Sequence, residues 1–381
     1  MNNQLIDVSV YLKDKERYNE GRPNIIMHTS SDNNALIKAT ANGLVCEAGE
    51  FVIDPWEPAE LALITHAHAD HARPGSKRYI ATPDSVALLQ RRLGDNINIQ
   101  AVNYNESIKL GNTSVSFHPA GHVLGSAQIR VEQADDVWVF TGDFKRDFDP
   151  TCLPFELVQC DTLITEATFA LPVYRWQSGR EVAAEIAHWW NLNIDANRPS
   201  VLFCYSLGKA QRVLAELMHF TDRSVFLHGA VAPLTQIYRD EGVSMLPTQQ
   251  LDLKEKRNYN AELIIAPPGA AGSTWMRRFK GASTGFCSGW MRVRGNRRRR
   301  GYDRGFVLSD HADWSALIQT ITECGASRIL TTHGQSETLV RYLRELGYDA
   351  SELTTQFTGD DAEPDATHQQ AATGSSGKDK S

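Results

Sequence analysis

The feature that most constrains this chain is a repeated one. Strand-like stretches arrive one after another, and each ends on residues able to bind protons or metals. "AELALITHAHADH" reads as an apolar strand running out into three histidines and an aspartate. "SIKLGNTSVSFHPA" leads to His122, "SAQIRVEQADDVWVFTGDF" to Asp143, "CDTLITEATFA" to Glu166 and "RILTTHG" to His333. Loops beyond strand ends are where a sheet scaffold gathers residues distant in sequence onto one rim. A chain patterned this way is expected to carry its chemistry on one rim of a sheet scaffold.

Within "THAHADHA", His66, His68, Asp70 and His71 form H-x-H-x-D-H. Alternate residues in a turn can point their imidazoles the same way, while Asp70 and His71 aim at a second point nearby. Zinc takes about four N, O or S ligands. The cluster can therefore contribute to two ions without completing either. His122, Asp143 and His333 are the candidates for the missing ligands. Asp143 is the natural bridge, because one carboxylate can span two metals about 3.5–4 Å apart.

From about Arg180 the pattern becomes alternating helix and strand: "REVAAEIAHWWNLNI", "PSVLFCYS", "GKAQRVLAELMHF", "RSVFLHG", "AELIIAPPG" and "GFVLSD". That alternation predicts a second α/β unit. Asn42-Gly43 marks a hairpin turn with Pro55 as a stop, and the polar end of the chain, 353–381, reads as disordered. At 381 residues there is enough chain for one large domain or two smaller ones. A net charge of −7 removes any overall attraction to polyanions, so a nucleic-acid site must come from a local basic patch or bound cations. The six cysteines are scattered without a CxxC pair, which fits buried small residues in a reducing compartment. With no apolar run of membrane-spanning length and no signal-like start, the expectation is a cytoplasmic protein.

The order H-x-H-x-D-H, lone His122, lone Asp143, Glu166 after a strand, His311 in "LSDHADW" and His333 at a last strand end resembles the metallo-β-lactamase superfamily, and within it the β-CASP nucleases. "CYSLGKAQRV" is similar to the opening of the inserted β-CASP domain. "TEATFALPVYRW" and "FCSGW" resemble the bacterial ligase-associated DNA exonucleases. The resemblance implies an αβ/βα four-layer sandwich carrying an inserted α/β domain. It would divide the chain into 1–175 and 304–352 for the sandwich, 176–303 for the insert, and the tail.

It further implies two zinc ions, with manganese as the alternative. His66, His68 and His122 would hold one and Asp70, His71 and His333 the other, with Asp143 between them. His311 would donate a proton to the leaving oxygen and Glu166 would orient it, Asp70 counting with them among the catalytic residues. The implied substrate is DNA, in repair with a ligase and a helicase as functional partners. RNA is the alternative, since DNA-type relatives in eukaryotes usually lack the last histidine. For the phosphodiester chain the sequence offers Ser206 and Lys209 at a helix start, Ser288 in a small-residue stretch, and a basic run containing Arg292, Arg294 and Arg297 to Arg300. A small-molecule metallohydrolase would need neither the insert nor these arginines. A catalytically dead binding protein would not keep all seven ligands.

Overall fold

The computed structural model describes residues 35–252, 254–293, 301–334 and 336–357. Beyond Ala35 these belong to one compact unit, Leu36–Ser381. The first sheet contains β1 (Lys38–Thr40), β2 (Gly43–Cys46), β3 (Phe51–Ile53), β4 (Leu61–Leu63), β5 (Arg78–Ala81) and β6 (Ile99–Ala101), in that spatial order. Thr40 pairs with Gly43, so the first hairpin turns at Ala41 and Asn42, one residue before the expected Asn42-Gly43. Helix α1 (Val86–Leu93) follows a 3₁₀ turn at Pro83–Ser85 and packs Leu88 and Leu89 against the same core as Ala62, Tyr79 and Ala81.

The second sheet starts with β7 (Ser107–Leu110), β8 (Thr113–Pro119), β9 (Ala127–Gln133), β10 (Asp136–Phe140) and β11 (Thr162–Glu166). The chain then leaves it. Helix α2 (Gly179–Asp195) opens with a capping box: Ser178 Oγ accepts from Glu181 N, and the Glu181 carboxylate accepts from Ser178 N. Next come β12 (Ser200–Phe203), α3 (Lys209–Leu217), β13 (Val225–Leu227), α4 (Ala232–Asp240), β14 (Thr248–Gln250), β15 (Leu263–Ala266), β16 (Ser283–Cys287) and β17 (Arg304–Phe306). These strands make a third, wholly parallel sheet ordered β14-β13-β15-β12-β16-β17. Parallel strands covered on both faces become continuous apolar runs, as in "SVLF" and "LIIA", every residue of which is buried.

After α5 (Trp314–Glu323) the chain returns to the second sheet as β18 (Arg328–Thr332), then α6 (Ser336–Glu345) and β19 (Asp349–Glu352). Strand β18 pairs directly with β11, Glu166 lying opposite Thr332. The third sheet is thus inserted into the connection between two neighbouring strands of the second. Helices α5 and α6 bury Leu317, Ile321, Leu339 and Leu343 on Val139, Leu163 and Ile329.

Two expected boundaries move. Arg304–Phe306 pairs with β16, so the inserted sheet runs past 303. The chain is also ordered beyond 352: Leu353 N donates to Thr331 O, and Phe357 is buried beside Trp56 and Phe140. The rest of the expected disordered tail, 358–381, lies outside the described residues.

Candidate active site

Strand ends of the first two sheets meet where Ala127 N, at the start of β9, donates to Thr65 O just past β4. The loop after Thr65 carries His66, His68, Asp70 and His71; the β8–β9 turn carries His122; the loop after β10 carries Asp143. Glu166 closes β11 and His333 follows β18. His333 adopts a left-handed backbone (φ 60°), ahead of Gly334 at the same φ. A Cβ on Gly334 would lie 2.3 Å from Ala167 O, so only glycine permits that close approach.

The expected residues fall into three groups of donor atoms: His66, His68, His122 and Asp143; Asp70, His71 and His333; and Asp143, Glu166 and His311. All are buried except Asp70, which is half-buried. Asp143 Oδ2 lies 3.6 Å from His66 Nε2, 3.6 Å from His71 Nε2 and 3.7 Å from His122 Nε2, and its Oδ1 lies 4.0 Å from His333 Nε2. It is the point the other groups share.

Tautomers can be assigned from the outer ring nitrogens. Thr65 Oγ1 donates to Asp54 Oδ2 at 2.6 Å, which leaves it to accept from His66 Nδ1 at 3.0 Å. His122 Nδ1 donates to Asp310 O at 2.9 Å, and His68 Nε2 to Leu207 O at 3.3 Å. The inner nitrogens then carry lone pairs, yet His66 Nε2 and His122 Nε2 each lie 3.1 Å from His68 Nδ1. Lone pairs facing each other at that range repel unless a cation or a proton stands among them. Tetrahedral zinc with nitrogen ligands at about 2.0–2.1 Å sets neighbouring donors roughly 3.3 Å apart. Among the described residues, His71 Nε2, Asp143 Oδ1 and His333 Nε2 are buried without a hydrogen-bond partner, as the donor atoms of a metal site are. These residues fit divalent-metal binding.

The electrostatics agree. Burial, with His71 and His122 nearby, holds His66 well below the usual imidazole range, and burial beside His71 does the same to His333. Both stay neutral, the form that binds metal. Burial also depresses His71, but Asp143, Asp70 and Asp54 outweigh it and lift the ring to about 10. Burial pushes Asp143 up to about 7, partly offset by His71 and His311.

His311 is fixed from three sides. Its Nδ1 donates to Glu166 Oε2 at 2.7 Å, its backbone N to Ser309 Oγ at 3.1 Å, and its carbonyl accepts from Trp176 Nε1 at 2.9 Å. Phe144 N donates to the other Glu166 oxygen at 2.8 Å. Phe169 meets the His311 ring edge-on and packs against Trp290, which places the "FCSGW" stretch on the same wall.

The expected substrate contacts fare differently. Lys209 is fully buried, its Nζ 3.3 Å from Asp310 Oδ2, so its charge is engaged inside the protein and does not reach solvent as a phosphate contact must. Ser206 is buried, and Ser288 is buried as the cap of a short 3₁₀ turn, its Oγ accepting from Trp290 N. Of the basic run, Arg292 is exposed and donates from Nε to Val173 O at 3.2 Å. Arg294 and Arg297 to Arg300 lie outside the described residues.

Two residues at the site escaped the sequence reading. Asp54 receives Thr65 N, Thr65 Oγ1 and His71 Nδ1 at 2.6–2.8 Å. An acid closing the apolar strand "FVI" before Pro55 is the same strand-end signal used elsewhere. Phe357 stacks on His71 and His333 with ring centroids 4.7 and 4.4 Å away. A lone phenylalanine in a polar tail carries no such signal.

An α/β sandwich with buried histidines and aspartates at the joint edge of two sheets, and a parallel α/β insertion, defines a metallo-β-lactamase-type hydrolase scaffold. No model of a known protein family matches the chain. A probable DNA ligase of Opitutus terrae is 31% identical over 300 residues, which is 78% of this chain and 29% of the relative. An RNase J-like protein of Methanocaldococcus jannaschii is 23% identical over 225 residues, 51% of this chain and 53% of the relative. This chain thus matches less than a third of the first relative's length and about half of the second's. A solved structure of a protein of unknown function from Enterococcus faecalis shares the fold, with a TM-score of 0.54 at 14% identity, covering 78% of this chain and 80% of that one. The chain belongs to the β-CASP branch of the metallo-β-lactamase superfamily. No helix among the described residues is long and apolar enough to cross a membrane.

Proposed function

We propose that the protein is a metal-dependent nuclease that hydrolyses phosphodiester bonds in DNA as an exonuclease, in repair alongside a ligase and a helicase. The observation that carries the hydrolytic reading is the meeting of neutral imidazole lone pairs on the buried Asp143 carboxylate. His66, His68 and His122 would hold one divalent ion and Asp70, His71 and His333 a second, Asp143 serving both. Zinc suits these N and O donors, with manganese as the alternative. Such ions, when bound, supply Lewis acidity toward a phosphate and lower the pKa of water.

The chain's own residues do the rest. His311 delivers a proton to the leaving oxygen from its Nε2, because Nδ1 is committed to Glu166 at 2.7 Å. The Glu166 carboxylate fixes that tautomer and stabilises the charged ring. Trp176 and Ser309 hold the backbone on either side of the imidazole. The third sheet and the helices packed on it would form the wall over which the nucleic acid runs.

DNA is preferred because a match over 300 residues is to a protein named as a probable DNA ligase. RNA is the second reading. His333 reaching Asp143 and the RNase J-like relative both favour it. Purified protein with zinc or manganese, given single-stranded DNA labelled at either the 5′ or the 3′ end and matched RNA, separates the two. A single-nucleotide ladder on DNA is expected, and clear preference for RNA would replace the first reading by the second.

A further inference from the structure

Asp310 joins the inserted α/β segment to the donor cluster, and both its backbone and its side chain are engaged. Its carbonyl receives Nδ1 of His122 at 2.9 Å, and the next residue is His311. Its carboxylate faces Lys209 Nζ at 3.3 Å and Arg212 Nη1 at 3.8 Å. Arg212 Nη1 also donates to Ser309 O at 2.7 Å, while its Nε lies 3.2 Å from Asp149 Oδ2. None of Asp310, Lys209, Arg212 and Asp149 is more than 3% exposed.

The placement of the two cations is informative. Lys209 and Arg212 lie in the first turn of α3, where the helix dipole disfavours positive charge, and burial adds a desolvation cost. Within the helix Glu216, four residues on, favours Arg212, and the acids across the junction, Asp149 and Asp310, supply the rest of the compensation. The junction is also close. Gly208 caps α3 at φ +86°, and a Cβ there would lie 2.4 Å from Val123, the neighbour of His122.

We propose that Asp310 is a positioning residue. The Lys209–Arg212 clasp transmits the seating of the inserted segment to His122 on the metal side and to His311 on the proton-donating side. Both are in register only when α3 is docked. The inference rests on the phosphodiesterase reading above and adds a residue and a coupling to it.

Asp310→Asn, Lys209→Met and the double variant separate positioning from stability. Zinc-loaded proteins are compared by melting temperature, by hydrogen exchange of residues 309–313, and by kcat and KM on bis(p-nitrophenyl) phosphate, a substrate too small to need groove contacts. Asp310→Asn takes away the carboxylate that Lys209 and Arg212 face in the interior, so its melting temperature falls. Its kcat falls about 10²-fold with KM within about twofold, as for a small misplacement of reacting groups. The double variant removes the buried lysine charge as well and regains melting temperature, while kcat stays low and exchange at 309–313 stays fast. Recovery of kcat together with melting temperature would show the clasp to be structural only and overturn the proposal. So would unchanged exchange at 309–313 in Asp310→Asn. If Asp310→Asn fails to fold, Lys209→Met, which leaves Arg212 on Asp310, must show faster exchange and lower kcat, or the proposal fails. A wild-type protein without phosphodiesterase activity would overturn the functional reading instead, leaving hydrogen exchange to decide the clasp.

Discussion

Nδ1 of His311 lies 2.7 Å from Oε2 of Glu166 across 145 positions of sequence, with both side chains buried. A buried, charge-assisted bond of this kind fixes which imidazole nitrogen remains for a substrate. Glu166→Gln keeps the shape and an acceptor for Phe144 N but loses the charge. The expected result is a kcat lower by about 10²-fold with KM unchanged, the share of the rate that general acid catalysis supplies. Metal content by mass spectrometry should not change; loss of metal would assign Glu166 to the ion site instead.

Asp54 predicts an asymmetry between the two candidate ions. It orients His71 through Nδ1 at 2.7 Å, whereas its link to His66 passes through Thr65. Asp54→Asn should weaken the ion at Asp70, His71 and His333 by about 10–100-fold and leave the other nearly intact. Competition with a graded chelator reads both affinities. Equal weakening of the two sites would contradict the assignment.

His71 sets a pH dependence for the metal-free protein. Its pKa, lifted to about 10, exceeds the unfolded value of 6.5. The stabilisation is therefore complete below about pH 6.5 and is lost as pH rises through about 10. Denaturant midpoints of the chelated protein should fall across that window. Metal binding must displace the same proton, so apparent zinc affinity should rise with pH, and calorimetry in buffers of different ionisation enthalpy should register proton release.

Phe357 stacks within 4.7 Å of both His71 and His333 and is buried against Trp56. Phe357→Ala should cost roughly 3 kcal/mol, the scale for a deleted buried ring. Urea denaturation measures it. A cost below about 1 kcal/mol would be the size of a surface substitution and would mean that the ring does not pack on the site as described.

The chain's local order determined the chemistry. Where an apolar strand ends and which donor follows it are short-range properties, so His66, His68, Asp70, His71, His122, Asp143, Glu166 and His333 could be picked out from the sequence. The alternation of helix and strand after Arg180 was legible for the same reason, because buried strands and amphipathic helices have different periods. Asp54 carried the same strand-end signal and was passed over. Tertiary structure decided the rest. Lys209 opens a helix after a glycine, as a phosphate-binding lysine does, but only the docking of α3 shows that it faces Asp310 from the interior. His122 finds its outer partner 188 residues away. Phe357 becomes part of the site only because β19 returns beside β18 and leads the chain back under His333. Burial and charge pairing depend on which distant segments are brought together, and a linear sequence does not record that.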